Sequence, residues 1–95
     1  MMNKEQIEEI LTKTFNPVML KVRDDSHQHA GHNPQAAGGN THFFVKIVSS
    51  AFAGKKLVER HRMVNEALSA GLKSNIHALG IRAFSPEEFE QGRLL

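Results

Sequence analysis

His27, His29 and His32 stand in the spacing H-x-H-x-x-H, inside the stretch DDSHQHAGHNPQAAGGNTH that runs from Asp24 to His42. Imidazole is a ligand for borderline metals such as zinc, iron and copper, so metal binding is the first chemistry this cluster raises. Spacing along a loop fixes no geometry, however, and a closed structural zinc site takes four ligands. A self-contained centre made only of these three is the weaker form of the idea. The stretch carries four of the six histidines, three of the seven glycines and no large apolar residue. Segment 24–41 exceeds the usual length of a connection in a compact domain, and loops of that length are mostly functional or structureless. Its glycine, asparagine and proline content predicts high mobility, and the plain alternative is a surface insertion.

His77 stands apart, in SNIHALG. A single histidine among apolar neighbours is more often a satisfied core side chain than a ligand. At the head of a strand it could instead offer one ring nitrogen to a metal while the other donates to a carbonyl. Lys55, Lys56, Arg60 and Arg62 form a third candidate, a basic patch on a helix that could touch nucleic-acid phosphates. The plain reading there places His61 on the apolar face and pairs Arg62 with Glu66 four residues on. Aromatic interleaving is poor, since the chain has no Tyr and no Trp.

Cysteine is absent. That excludes a disulfide scaffold, a thiol nucleophile and any metal site built only from the chain's own thiolates. No phosphate-binding glycine loop, no H-E-x-x-H and no Ser-His-Asp set is present, so an enzyme is not expected. Asp24, Asp25 and Ser26 read as turn formers. The 95 residues predict a single domain, 1–95, with ordinary apolar (40%) and charged (23%) content. A formal charge of +2 is only a weak basic bias. Nothing resembles a signal peptide or membrane span, and the expected location is the cytoplasm.

The elements that must position these residues follow from periodicity. Asn3 with Gln6 predicts a capping box, and Ile7, Ile10, Leu11 and Phe15 keep helical spacing up to the stop at Asn16-Pro17. Val18, Leu20 and Val22 alternate as a half-buried strand, and Phe43, Val45 and Ile47 as a second. Ser49 to Gly54 reads as a turn. Lys55 to Leu72 reads as the longest helix, with Leu57, His61, Val64, Leu68 and Leu72 on its apolar face, Val58 and Asn65 bordering it, and Gly71 and Asn75 as stop signals. Ile76 to Phe84 predicts a third strand, with His77, Leu79, Ile81 and Ala83 sharing a face. Ser85-Pro86-Glu87-Glu88 opens a short last helix.

The order is α-β-β-α-β-α. A strand–helix–strand unit favours a right-handed crossover onto a parallel strand, and two loop-joined strands are most simply antiparallel. The expected fold is an α/β (α+β) domain, a small three-stranded mixed sheet with helices on one face. If the third strand lies beside the second, its leading end meets the histidine loop at one edge of the sheet.

The runs FAGKKLVERHRMVN (Phe52 to Asn65) and IHALGIRAFSPEE (Ile76 to Glu88), with DDSHQHAGH ahead of THFFVKIVSSAF, resemble the BolA-like family over nearly the whole chain. The resemblance implies a fold similar to type II KH domains and a cytosolic adaptor that pairs with monothiol glutaredoxins. It implies a [2Fe-2S] cluster shared between the two proteins, with the glutaredoxin cysteine and a glutathione thiolate on one side. On the other side, the histidine of the IHAL motif corresponds to His77. The loop ligand corresponds best to His29, with His27 and His32 close enough to be alternates. With histidine in its loop, the chain resembles the histidine-loop branch. The family also has bacterial members described as transcription regulators of morphology and stress responses, which implies DNA contact through the KH-like fold and the RHR helix. The G-x-x-G clamp of a true KH domain is missing. Homodimer formation is left open.

Overall fold

The computed structural model describes residues 1–26 and 39–92. The chain order is α1 (Lys4–Phe15), β1 (Met19–Asp24), β2 (His42–Val48), a 3₁₀ turn (Ser50–Phe52), α2 (Leu57–Ala67), α3 (Ser69–Leu72), β3 (Ala78–Phe84) and α4 (Pro86–Glu90). The strands form one sheet in the order β1-β2-β3. β1 runs antiparallel to β2, with Val22 opposite Val45, and β3 runs parallel to β2, with His42 opposite Ala78. This is the mixed sheet expected from the sequence. No described helix is long and apolar enough to cross a membrane.

The local signals behave as their chemistry requires. Asn3 and Gln6 cap α1 reciprocally, and Asn16 ends it in the left-handed region (φ 45°), its amide donating to the Thr12 carbonyl. Ser85 and Glu88 form the same reciprocal cap on α4, with Pro86 in its first turn. The core lies between the helices and one face of the sheet. Ile7, Leu11 and Phe15 from α1 and Val64 and Leu68 from α2 pack with Val22, Phe43, Val45, Ile47, Phe52 and Ala83. Buried Ser49 ties the two layers together, its hydroxyl donating to the Phe15 carbonyl at 2.6 Å and its amide to the Phe84 carbonyl at 3.0 Å.

Three details depart from the pattern reading. Val18 precedes the first strand and is 69% exposed. The long helix breaks at Leu68 into α2 and α3, and Gly71 lies inside α3. A Cβ on Gly71 would fall 2.7 Å from Ile76 Cδ1 and from Met2 Sδ, so this glycine permits close packing rather than a helix stop. The buried face of α2 is also rotated. Arg60, Val64 and Leu68 point inward, while Leu57, Val58 and His61 are exposed. The only registered pairs in this region are Lys55 with Glu59 and Arg60 with Glu88 among the described residues; Arg62 and Glu66 do not pair.

Arg60 is 4% exposed and fully used. Its Nε donates to the Lys55 carbonyl (2.9 Å), and Nη1 donates to the Ala83 carbonyl (3.0 Å). Nη1 and Nη2 grip Glu88 Oε1 and Oε2 at 2.6 and 3.1 Å. The guanidinium thus pins α4 and the end of β3 to α2. Hydrogen bonds from Arg60 and from the Ser85 amide hold the Glu88 carboxyl down at a pKa of about 2, against an ordinary 4.5.

Since Glu88 binds its proton less readily folded than unfolded, its contribution is complete above about pH 5 and disappears as pH falls toward 2. It should amount to about 1–2 kcal/mol once solvent screening of its partly exposed carboxylate is allowed for. Urea melts across that window should lose this increment in the native chain and lack it in Glu88→Gln. Arg60→Ala should cost more, about 3 kcal/mol, because it leaves a carboxylate and two carbonyls without their donor.

Candidate functional site

Three chain segments converge at one rim of the sheet: the end of β1, the start of β2 and the start of β3. A compact polar lock joins them. Asp24 Oδ1 accepts from the Ser26 amide (2.9 Å) and from the Ser26 hydroxyl, while Oδ2 accepts from the Asn40 amide at 3.1 Å. Ser26 is fully buried, and its Oγ in turn accepts from the amides of Thr41 (2.9 Å) and His42 (3.1 Å). The Asp25 amide donates to the His42 carbonyl at 2.7 Å. The Thr41 carbonyl then receives the amides of His77 and Ala78 at 2.7 and 3.2 Å. Asn75 closes the rim from below, donating to the Asn40 and Met2 carbonyls and accepting from the Met2 amide at 2.7 Å. The turn-forming role read for Asp24 and Ser26 is therefore observed, with their partners spread across the mouth of the histidine loop.

His77 is exposed and immediately precedes β3. Its neighbour Ile76 takes the core position, at 3% exposure. His77 does not share the inner face of Leu79, Ile81 and Ala83; it stands outside the core, where a ligand can be reached. His42 lies beside it, with ring centroids 6.2 Å apart and planes at 64°. At this separation the two imidazoles stand within side-chain reach of a common ligand. Thr41 Oγ1 lies 2.9 Å from His42 Nδ1. When Nδ1–H donates in that bond, Nε2 carries the lone pair, the tautomer that ligation needs. Among the described residues no third His, Cys, Asp or Glu completes a metal-binding group with them. The rim offers imidazoles and needs other donors to close a coordination sphere.

His27, His29 and His32 lie outside the described residues. His42 was not singled out as a candidate from its spacing, because it opens the THFF strand, away from the H-x-H-x-x-H cluster. Strand pairing brings it to His77. Of the basic candidates, Lys55 pairs with Glu59 at 3.7 Å, Lys56 and Arg62 are exposed, and Arg60 is corrected from a phosphate contact to a buried structural group. Each of its guanidinium nitrogens is engaged inside the fold, and at 4% exposure the side chain is out of reach of a nucleic acid.

Comparison with known proteins places this geometry. The model of the family described as BolA-like protein matches residues 11–88. The chain is 39% identical over 90 residues to the DNA-binding transcriptional regulator BolA of Escherichia coli, covering 95% of this chain and 82% of that protein. It is 51% identical over 87 residues to SufE-like protein 1, chloroplastic/mitochondrial, of Arabidopsis thaliana, covering 87% of this chain but only 24% of that longer protein. Among solved structures, the BolA domain of SufE1 from Arabidopsis thaliana superposes with a TM-score of 0.80 at 47% identity, over 93% of this chain and 99% of that one. BolA1 from the same plant superposes with 0.79 at 40% identity, over 93% and 98%.

The lock predicts its own failure mode. Ser26→Ala removes the hydroxyl that accepts from the buried Thr41 amide and should destabilise the fold by about 1–3 kcal/mol. It should also shift the ring signals of both His42 and His77 in ¹H–¹⁵N spectra, whereas His61, remote on α2, should stay still.

Proposed function

Because the chain belongs to the BolA-like protein family, we propose that it is a non-enzymatic adaptor that binds a monothiol glutaredoxin and shares a [2Fe-2S] cluster with it. The observation that carries this reading is the exposed His77 at the head of β3, beside His42 and at the mouth of the histidine loop. His77 serves as one ligand and His29 as the other, with His27 and His32 as alternates. His42 stands close enough to His77 to substitute for a loop imidazole. The chain has no cysteine, so the thiolates come from the glutaredoxin cysteine and from glutathione. A cluster ligated by imidazoles on one iron has a higher reduction potential than an all-thiolate one. The residues here hold it through unprotonated ring nitrogens, so assembly weakens as pH falls. The biological output is iron–sulfur trafficking or iron and redox regulation, in the cytoplasm.

A second reading is DNA binding in transcriptional control, as the name of the Escherichia coli relative states for that protein. Exposed Lys56 and Arg62 support it, and the burial of Arg60 removes one of its four proposed contacts.

Titration of the apo chain into cluster-loaded monothiol glutaredoxin with glutathione should change the visible absorption and circular dichroism spectra. His77→Ala should weaken the complex at least tenfold. Spectra that stay unchanged with the native chain, or that change equally with His77→Ala combined with His29→Ala and His42→Ala, would contradict the adaptor.

A further inference from the structure

The helices cover one face of the sheet; the opposite face carries a pattern that the cluster site does not use. Its outward residues are Met19, Lys21 and Arg23 on β1, His42, Phe44, Lys46 and Val48 on β2, and Ala78, Gly80, Arg82 and Phe84 on β3; Val48, between Met19 and Phe84, is fully buried. No carboxylate is among them. Lys21 is the register partner of Lys46, and Lys46 is the register partner of Arg82, so three cations stand side by side across the whole sheet. Like charges directly opposite one another destabilise a sheet. None of the three has an ion-pair partner among the described residues. Lys21 and Arg82 are exposed and Lys46 is half-buried.

Aromatic rings flank this charged row on both sides. Phe44 sits one row toward the rim and Phe84 one row the other way, about 13 Å apart along the strands. Phe44 lies over Gly80, its register partner; a Cβ there would come within 2.9 Å of the ring, so the glycine leaves the ring its seat. The Arg23 guanidinium rests on the Phe44 ring at 4.8 Å, steered by Asp25 through bonds of 2.6 and 3.1 Å. Lys21, Arg23, Phe44, Lys46, Arg82 and Phe84 together line a cleft of about 680 Å³. Lys4 and Glu8 of α1 and Leu20 and Val22 of β1 line it too, so the cleft reaches round the β1 edge and holds one carboxylate.

We propose that this open sheet face is a binding surface for single-stranded nucleic acid, with the Lys21–Lys46–Arg82 row on the phosphates and, as base-stacking platforms, Phe84 and the Arg23 guanidinium that Phe44 seats. The occupant follows from the two features together. A cation row alone would suit any polyanion. Stacking planes on either side of it suit a polyanion that also carries unstacked π-faces, and bases stack equally on phenyl rings and on guanidinium planes such as that of Arg23. A duplex offers phosphates, but its bases are already stacked and cannot reach the rings. The site is independent of the proposed cluster adaptor, so either can fail alone.

The test uses the apo chain with chelator and no glutaredoxin. Fluorescence anisotropy is read with a labelled 15-mer of oligo-dT, the oligo-U RNA of the same length, and a mixed-sequence 15-base-pair duplex. Single strands should bind at least tenfold tighter than the duplex, and raising salt from 50 to 200 mM should cost roughly 20- to 50-fold for three to four contacts. Lys21→Gln/Lys46→Gln/Arg82→Gln should abolish most of that affinity and of its salt dependence, while the thermal midpoint stays level or rises as repulsion is relieved. Phe44→Leu should weaken single-strand binding about five- to tenfold with the salt slope unchanged. A difference between the DNA and RNA arms would say which strand chemistry is preferred. Absence of binding at 50 mM salt, equal affinity for the duplex, or equal competition by poly-glutamate would overturn the proposal. So would a loss of binding with Lys56→Gln/Arg62→Gln but not with the sheet variants, which would move the contact to α2.

Discussion

The carbonyl of Thr41 accepts from two amides at the head of β3, His77 at 2.7 Å and Ala78 at 3.2 Å, while the amide of the same residue donates to the buried hydroxyl of Ser26. Through this one peptide the three segments at the rim are held in register. The parallel ladder from His42–Ala78 to Val48–Phe84 fixes β3 against β2, and the bonds to Thr41 extend that order to His77, ahead of the strand. The lock is polar and partly buried, so each member depends on the others: Asp24 holds Ser26, Ser26 holds Thr41 and His42, and Thr41 holds His77. In a low-dielectric rim a network of this kind is rigid when complete and costly when broken. That rigidity suits the proposed role of presenting imidazoles to a partner's donors, because ordering cost is then met in folding rather than in binding.

Much of this was legible from residue order. The alternation in β1 and β2 and the right-handed crossover rule imply a parallel β3 in the same sheet; that it lies beside β2, which puts His77 at the loop's edge, is a condition of the sequence reading that the strand order meets. What remained hidden is tertiary. The face of α2 was misread because Leu57 and His61 keep helical spacing with Val64 and Leu68, as Arg60 also does. Local pattern favours the apolar pair over a charged residue. The choice is decided by Glu88, twenty-eight residues away, and by the Ala83 carbonyl, which together satisfy the guanidinium and make its burial tolerable. The RHR motif thus divides: its first arginine faces inward as a clamp, and its histidine and second arginine face solvent.

His77 was ambiguous for a related reason. Strict alternation from Leu79 backward places it on the inner face, yet β3 starts only at Ala78, and the two residues before it leave strand geometry as Ile76 turns into the core. His42 was harder still. It is outward-facing and polar at the start of a strand, which is what an unremarkable solvent position looks like. Only pairing between strands distant in sequence reveals a ring 6.2 Å from it.

The two surfaces of interest meet at Asp25. Its amide bonds the His42 carbonyl at the rim, and its carboxylate holds Arg23 over Phe44 on the open face. By distance alone they would be nearly independent: Lys46 lies four residues along β2 from His42, about 13 Å, which exceeds a Debye length of ~8 Å at physiological salt. Charge added at the rim is therefore felt weakly by the cation row. The mechanical link between them runs through Asp25, whose amide and carboxylate serve the two networks, beside His42 and Ala78, which also belong to both. A shift of the His42 carbonyl would pull on the Asp25 amide and so change the seat of the Arg23 guanidinium. The open face is thereby tied to the rim through the orientation of one arginine.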